Sequence, residues 1–391
     1  DADRTAVDRT EVDRDIDRCA VDPPGVTILK PLCGADDDLE ANLESFAALE
    51  YPRLQIVLGA ADRNDPALTV ARAVFARHPE VDAKVVVLDH VHQLPAQAFN
   101  PKVKNLAGLY AHAAYDLCLI SDSNVRVRPD EIQSLVAPFA DPKVGLVYQP
   151  VVGVGEQTIA AAIENLKLTT LSGHLMVFVK QLTGWDVVMG KGMMFRREAL
   201  DDIGGFQRVA NVAAEDYVLG VALAEAGWNV ALASVPVQAV HTRWSWRGVI
   251  NRTYRHAAMR CRLCTWSYPI ELGGNPVFLA TLGALIFGLS WVPYLVITVV
   301  LKTMIDARAC QLLRGQKLSI RDLLLLPVKD LLFGIVWLPA IFGRTVRWRG
   351  NTLRLGWGTV LRPVGSPPIE PVRPTTRHLP RRTKRKTTVS R

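Results

Sequence analysis

The sequence predicts an α/β fold: a Rossmann-like domain followed by membrane-associated helices. Three observations carry this. From Gly25 to about Ser234 short apolar strands alternate with amphipathic helical stretches, the pattern of a sheet covered by helices. Asp62 and Asp122 each follow such a strand, where ligands bind in open α/β sheets. Pro276–Leu301 then runs 26 residues without a charge, long enough for a bilayer core of roughly 30 Å.

Taken in order, residues 1–22 repeat Asp-Arg at 3–4, 8–9, 13–14 and 17–18 and read as a polar disordered tail. No signal peptide or anchor is visible before Pro23. Val26–Leu29 is a short strand. Asp37 is expected to cap a helix to about Leu49, with Glu40 completing a capping box. Gln55–Leu58 is a second strand, ending in Gly59-Ala-Ala-Asp62, and Pro66 opens a helix to about His78. Lys84–Leu88 is a third strand, Asn105–Ala114 a helix, and Leu117–Ile120 a buried fourth strand. Pro129 starts the next helix, and Val144–Tyr148 is a further strand. Strands separated by helices imply parallel pairing with right-handed crossovers.

Residues 156–183 read as one helix with an apolar face, Val187–Phe195 as extended, and Arg197–Ile203 as a short helix stopped by Gly204-Gly205. Glu215–Ala226 is a helix and Asn229–Ser234 a strand. The helical stretch 243–266 carries Arg247, Arg252, Arg255, Arg260 and Arg262 and no acid. After the uncharged run, Leu323–Phe342 is apolar but broken by Lys329 and Asp330, a re-entrant or interfacial pattern. Arg344, Arg347, Arg349 and Arg354 follow, with Trp348 and Trp357 suited to an interface. The domain organisation expected is therefore 1–22 tail, 23–265 catalytic-type α/β domain, 266–362 membrane-associated helical region and 363–391 basic disordered tail.

Composition removes several function classes. The net charge of +8 equals the charge of the run after Glu370, which holds eight Lys or Arg and no acid. Following apolar segments, that run suits an anionic membrane surface better than nucleic acid, and no interleaved aromatic platform supports nucleic-acid binding. Six scattered cysteines fit a reducing compartment. Cys261-x-x-Cys264 lacks a second pair, and His90-x-His92 stands alone, so neither indicates a metal centre.

The stretch Leu117–Val127 organises the rest. Beyond its strand stand Ser121, Asp122, Ser123 and Asn124, and the oxygens of Asp122 and Asn124 suit a hard divalent cation that bridges phosphates. A polar Asx turn ending the strand is the plainer reading of the same residues. Asp62, Asp122 and Asp216 recur at strand ends or a helix start, and each singly is equally a cap or turn former. With the Arg-rich helix they suggest transfer of a glycosyl group from a nucleotide sugar. One carboxylate serves as general base, and cations offset charge on the departing phosphate.

The sequence resembles the ceramide glucosyltransferases. The resemblance rests on Gly25-Val-Thr-Ile-Leu-Lys-Pro-Leu-Cys-Gly34, Asn42-Leu-Glu-Ser-Phe46, Tyr51-Pro52, Asp62-Arg-Asn-Asp-Pro66, Asn100-Pro-Lys-Val-Lys-Asn-Leu106, Asp122-Ser-Asn-Val-Arg-Val127, Val144-Gly-Leu-Val147 and Ala214-Glu-Asp-Tyr217, in family order. It implies a GT-A glycosyltransferase domain and inverting transfer of a hexose, glucose from UDP-glucose, to the hydroxyl of a membrane lipid such as ceramide. It further implies that Asp62 and Asn105 contact the uridine with Lys102 nearby, and that Asp122 and Asn124 hold Mg2+ or Mn2+ on the diphosphate. By the same resemblance Asp216 is the base supported by Glu215, and Arg252 and Arg255 meet the diphosphate. His174 falls near a family histidine and reads equally as a core or surface residue.

Three departures stand out. His256 replaces a motif tryptophan, Asn124 is not a second acid, and the Asp-Arg repeat stands where the family has an N-terminal anchor. The last leaves two expectations: a truncated or respliced chain, or attachment through the C-terminal segments alone. The Arg/Ala/Val-rich composition suggests a GC-rich bacterial source, hence an inner membrane rather than Golgi, with the catalytic domain on the cytoplasmic face. Alternative readings are the same chemistry on a hopanoid or other lipid with UDP-GlcNAc or another donor, a processive polysaccharide synthase, and a non-catalytic nucleotide-sugar-binding membrane protein. The synthase needs more spanning segments than the one or two seen.

Overall fold

The computed structural model describes residues 23–88, 94, 98–265, 267–348 and 351–365. The N-terminal tail with Cys19, residues 366–391 of the basic tail, and His90-x-His92 lie outside the described residues.

A seven-stranded mixed sheet forms the centre, in the order β3-β2-β1-β4-β8-β6-β9. Its strands are β1 (Val26–Pro31), β2 (Leu54–Ala60), β3 (Asp82–Val87), β4 (Leu117–Ile120), β6 (Val144–Tyr148), β8 (Met193–Arg196) and β9 (Asn229–Leu232). Strands β1, β4 and β6 are buried along their whole length, as expected of strands covered on both faces. The first four strands pair in parallel, but β8 runs antiparallel to both β4 and β6. This corrects the all-parallel expectation. A strand buried on both faces is apolar throughout in either orientation, so its pattern does not report direction. A second sheet joins β5 (Val125–Arg126), β10 (Val237–Val240) and β7 (Val151–Val154) in the order β5-β10-β7.

Helix starts are set by local side chains, not all of them the expected ones. Helix α1 (Leu39–Ala47) begins after Asp38, which adopts φ 54°, and has no side-chain cap. The expected Asp37 capping box does not form. The Asp37 carboxylate instead accepts from the backbone N–H groups of Thr242 and Arg243 at 3.2 and 3.0 Å, tying this turn to the chain beyond β10. Helix α2 (Pro66–Ala76) opens at Pro66 as expected, capped by Asp65, whose carboxylate also accepts from Gly34 N–H. Helix α3 (Pro101–Tyr110) begins four residues before the expected Asn105, because Asn100 caps it and Pro101 fits its first turn. Short α4 (Glu131–Val136) precedes β6.

The expected helix over 156–183 is one helical run with a wide turn inside it. Helix α5 (Ile159–Lys167) passes through a π-helical segment, Leu168–Gly173, into α6 (His174–Thr183). Gly173 is required there, since a Cβ would meet the Val151 carbonyl oxygen of β7 at 2.2 Å. Of the expected extended stretch 187–195 only its end is strand β8. Helices α7 (Arg197–Asp202), α8 (Glu215–Glu225) and α9 (Trp246–Leu263) follow the expected order.

After short α10 (Tyr268–Gly273), the uncharged run is not one straight crossing. It bends at Gly288 into α11 (Pro276–Phe287) and α12 (Val292–Arg314). Twelve residues of α11 span only about 18 Å. The connecting turn folds back so closely on α11 that a Cβ on Gly283 would meet the Trp291 indole nitrogen at 2.1 Å. Leu285, Ile286, Phe287 and Leu289 are exposed at the bend, Leu289 to 88%. Helix α13 (Ile320–Phe342) is unbroken through Lys329 and Asp330. Both charges turn inward. Lys329 Nζ lies 2.9 Å from Asp306 of α12, 2.9 Å from Asp330, and donates to Thr170 Oγ1 at 2.7 Å. Paired in this way, buried charges need not interrupt an apolar helix. Pro276–Arg314 and Ile320–Phe342 are both apolar and long enough to cross a membrane.

The stretch 345–363, expected within a helical region, is a three-stranded sheet of β11 (Thr345–Trp348), β12 (Asn351–Leu355) and β13 (Leu361–Pro363). Alternating Val346, Leu353, Leu355 and Leu361 are buried against Ala257 and Ala258 of α9, and period-two burial favours strands over helix. This sheet braces the loop before α8. Thr359 accepts from Ala213 N–H through its carbonyl and from Ala214 N–H through Oγ1, at 2.9 and 3.3 Å. Thr359→Val keeps the shape and removes the second acceptor. Leaving the Ala214 N–H unsatisfied should cost about 1–3 kcal/mol, read as a lower unfolding temperature in detergent. An unchanged melting curve would show that the brace carries no stability.

Candidate active site

The site begins where β4 ends. Asp122 follows the strand, its backbone carbonyl accepting from the buried Lys30 ammonium at 2.8 Å. Lys102, on the first turn of α3, lies 3.0 Å from Asp122 Oδ1 and 3.0 Å from Oε1 of Glu215. Lys191, on the loop entering β8, lies 3.1 Å from Asp122 Oδ2 and donates to Asn124 Oδ1 at 2.8 Å. Asn124 is itself oriented, its amide donating to the Val240 carbonyl and facing His241 Nε2 at 3.1 Å.

The second carboxylate centre opens α8. Glu215 is buried and its other oxygen accepts from Asn100 Nδ2 at 3.3 Å. Asp216 is half-buried, with Oδ2 accepting from Gly190 N–H at 2.7 Å and Oδ1 from Tyr217 N–H at 2.8 Å. Gly190 joins the two centres, because its carbonyl accepts from Lys102 at 3.3 Å. A Cβ there would sit 2.8 Å from Lys102 Nζ and 3.2 Å from Asp216 Cβ.

These charges set one another. Burial pushes the Asp122 carboxyl up, but Lys102 and Lys191 outweigh it and hold the group well below the usual carboxylate range. Burial lowers Lys102, yet Asp122, Glu215 and Asp216 together hold it well above its ordinary value. Burial, aided by Asp216 and opposed by Lys102, raises Glu215. Burial lowers Lys191 against the pull of Asp122.

The opposite wall is α9. Arg252 is not loose: its Nε stands 3.0 Å from Oε1 of the fully buried Glu164, and its guanidinium lies 5.3 Å from the Trp244 ring centre. Lys167 shares Glu164 at 2.6 Å. His256 faces the cavity as a neutral imidazole, lowered by burial and by Arg252 and Arg255.

Every residue singled out from the sequence except His174 lines one cavity of about 530 Å³, from Asp62 and Asn105 to Arg255. Asp62 is exposed at its rim and accepts from Asn64 N–H at 2.9 Å, the Asx turn that was its plainer reading. Asn105 donates to the Leu32 carbonyl at 3.2 Å. His174 instead lies at the start of α6, outside that lining, where burial lowers its pKa. Sequence reasoning missed Lys191, Gly190, Asn100, Glu164 and His241. The signal for Lys191 and Gly190 was Met189-Gly-Lys-Gly192, a glycine-punctuated segment read only as extended.

Asp122 Oδ2 and Asn124 Oδ1 converge on one point, occupied by the Lys191 ammonium, and both are hard oxygen donors. Among the described residues no three His, Cys, Asp or Glu side chains gather into a cage. The pair therefore fits a cation that takes its remaining ligands from phosphate and water, the usual habit of Mg2+.

Over residues 5–361 the sequence matches glycosyl transferase family 21. The chain belongs to that family and is a glycosyltransferase. It is 27% identical to ceramide glucosyltransferase 3 of Caenorhabditis elegans, over 87% of this chain and 74% of that protein. Ceramide glucosyltransferase 1 of the same organism is also 27% identical, over 87% and 73%. Among solved structures, a mannosyltransferase of Pyrobaculum calidifontis in complex with GDP-Man and Mn2+ is similar at 18% identity and a TM-score of 0.48, covering 79% of this chain and 95% of that one. The seven-stranded mixed sheet, followed by two C-terminal segments long and apolar enough to cross a membrane, accords with the α/β fold read from the sequence.

Gly190→Ala tests the junction between the two centres. The new Cβ should displace Lys102 and Asp216 and lower glycosyl transfer about tenfold or more, for each ~1.4 kcal/mol of lost transition-state stabilisation. The melting temperature should fall with it, because displacing Lys102 loosens its contacts with Asp122 and Glu215. Wild-type activity in the alanine variant would show that the close approach does no catalytic service.

Proposed function

We propose that this protein transfers a hexose from a UDP-sugar, glucose in the favoured reading, to a hydroxyl of a membrane lipid such as ceramide, with inversion. One observation carries the reading. Asp216 and the Lys102–Asp122–Lys191 cluster face the same cavity, joined by Gly190, so a base and a diphosphate site are presented to one substrate. The similarity to ceramide glucosyltransferases supports the lipid acceptor and the glucose donor.

In this reading the uridine lies toward Asp62 and Asn105, and the diphosphate toward Lys102, Lys191 and the α9 arginines. Asp216 accepts the proton of the attacking hydroxyl as the bond from its oxygen to the anomeric carbon forms and the bond to the phosphate oxygen breaks. Gly190 N–H and the helix start at Glu215 hold Asp216 in place. Glu215, tied to Lys102 and Asn100, positions Lys102 and takes no proton. Lys102 and Arg255 face the charge that develops on the leaving UDP, in a partly enclosed site where such contacts strengthen. Asp122 and Asn124 would hold a divalent cation, which would supply charge neutralisation on the diphosphate. His256 offers a neutral hydrogen-bonding ring where the family has an indole. The exposed apolar hairpin of α11 and α12 supports insertion into the membrane that holds the acceptor. In this reading the catalytic domain faces the cytoplasm.

Asp216→Asn should lower kcat by about 10²–10⁴-fold while leaving UDP-glucose affinity within a factor of about two. The assay is label transfer from UDP-glucose, with UDP-GlcNAc and UDP-galactose in parallel, into a total lipid extract by the detergent-solubilised chain. Full activity in the variant, or lost donor binding with the fold intact, would remove Asp216 as the base. Label entering a triterpenoid in place of a ceramide-sized lipid would keep the mechanism and change the acceptor.

A further inference from the structure

Lys191 stands where a cation on Asp122 and Asn124 would stand. Its residue is only 6% exposed, and its ammonium bridges Asp122 Oδ2 and Asn124 Oδ1 at 3.1 and 2.8 Å. The backbone that carries it has little room to withdraw. Gly190 is pressed against Lys102 and Asp216, and a Cβ on Gly192 would meet Gln149 Oε1 at 2.2 Å. Asn124 is equally fixed by Val240 and His241.

Charge points the same way. Three ammoniums, Lys30, Lys102 and Lys191, contact Asp122 through its carbonyl or carboxylate. A bare divalent ion entering this site must break the contacts of a buried Lys191 with Asp122 and Asn124 and displace its ammonium against repulsion at short range. A nucleotide diphosphate changes both conditions. It brings phosphate oxygens to complete the coordination shell, and it offers the released ammonium a new anionic partner within the cavity.

We propose that Lys191 is a tethered cation that holds the Asp122–Asn124 site in the donor-free protein and makes divalent-metal binding conditional on the nucleotide diphosphate. The inference rests on the reading of the cavity as a UDP-sugar site. It predicts ordered assembly, in which metal and nucleotide enter together and Lys191 moves from the two oxygens to a phosphate.

The test uses the full chain in detergent, titrated with Mn2+ with and without saturating UDP, free Mn2+ being read by electron paramagnetic resonance. UDP binding is followed separately by calorimetry. Donor-free wild type should bind Mn2+ weakly, and Lys191→Met about tenfold or more tightly, a factor that corresponds to about 1.4 kcal/mol. Lys191→Arg, which keeps the charge, should behave as wild type. With UDP present the wild-type and Met affinities should converge. Lys191→Gln reads the same way should the Met variant aggregate. Equal donor-free Mn2+ affinity in wild type and Lys191→Met, with UDP still bound, would overturn the role of Lys191 alone. Failure of UDP to bind in any variant, with or without Mn2+, would instead overturn the nucleotide-sugar reading beneath it.

Discussion

The Lys102 ammonium holds the site together. It lies 3.0 Å from Asp122 and 3.0 Å from Glu215, so one side chain of α3 fastens the end of β4 to the start of α8. These segments are separated by more than ninety residues of chain, and no backbone pairing joins them. Lys102 and Asp122 are half-buried and Glu215 is buried, so removing one member leaves a charge with little solvent to compensate it, which is why the three groups act as a unit. The same geometry orients Asp216, because the Gly190 carbonyl that accepts from Lys102 belongs to the residue whose N–H donates to Asp216.

A second constraint comes from outside the α/β domain. The loop before Glu215 is laced to the C-terminal sheet by Thr359, by Leu361 N–H on the Asn211 carbonyl, and by the bridge between Val212 and Val360. Helix α13 meanwhile lies along α9 and α5, and Arg262 of α9 donates to the carbonyls of Ile341 and Gly343. Contacts thus cross the expected boundary at residue 265. The segments that carry the exposed apolar surface also support the residues facing the cavity.

Much of this was legible in the sequence for physical reasons. Asp122 and Asp216 were found because strand ends and helix starts are where a carboxylate reaches out of a sheet, and Asp62 because it follows a strand into a turn. Asn100 and Pro101 together mark a helix start, yet the apolar period beginning at Asn105 hid it. Lys191 was invisible because its partners arrive from sixty-seven and sixty-nine positions away, and no local pattern encodes that distance. The direction of β8 and the strands over 345–363 failed for related causes: burial on both faces erases period, and basic residues between apolar ones suit a membrane interface as well as an edge strand.

Arg252 shows what the buried network contributes to chemistry. An arginine at a diphosphate site is useful in proportion to how little it must reorganise when the ligand arrives. Here the guanidinium is already stacked beside Trp244 and paired with Glu164, whose second oxygen is taken by Lys167, which in turn donates to Thr253 of α9. The Arg252–Glu164 contact, at 3.0 Å, lacks hydrogen-bond alignment. That is a charge held near its partner without being consumed by it, leaving donors for a second anion. Placing the carboxylate beneath α9 thus keeps the cavity wall cationic, and the cost of burying Glu164 is offset by two cations, Arg252 and Lys167.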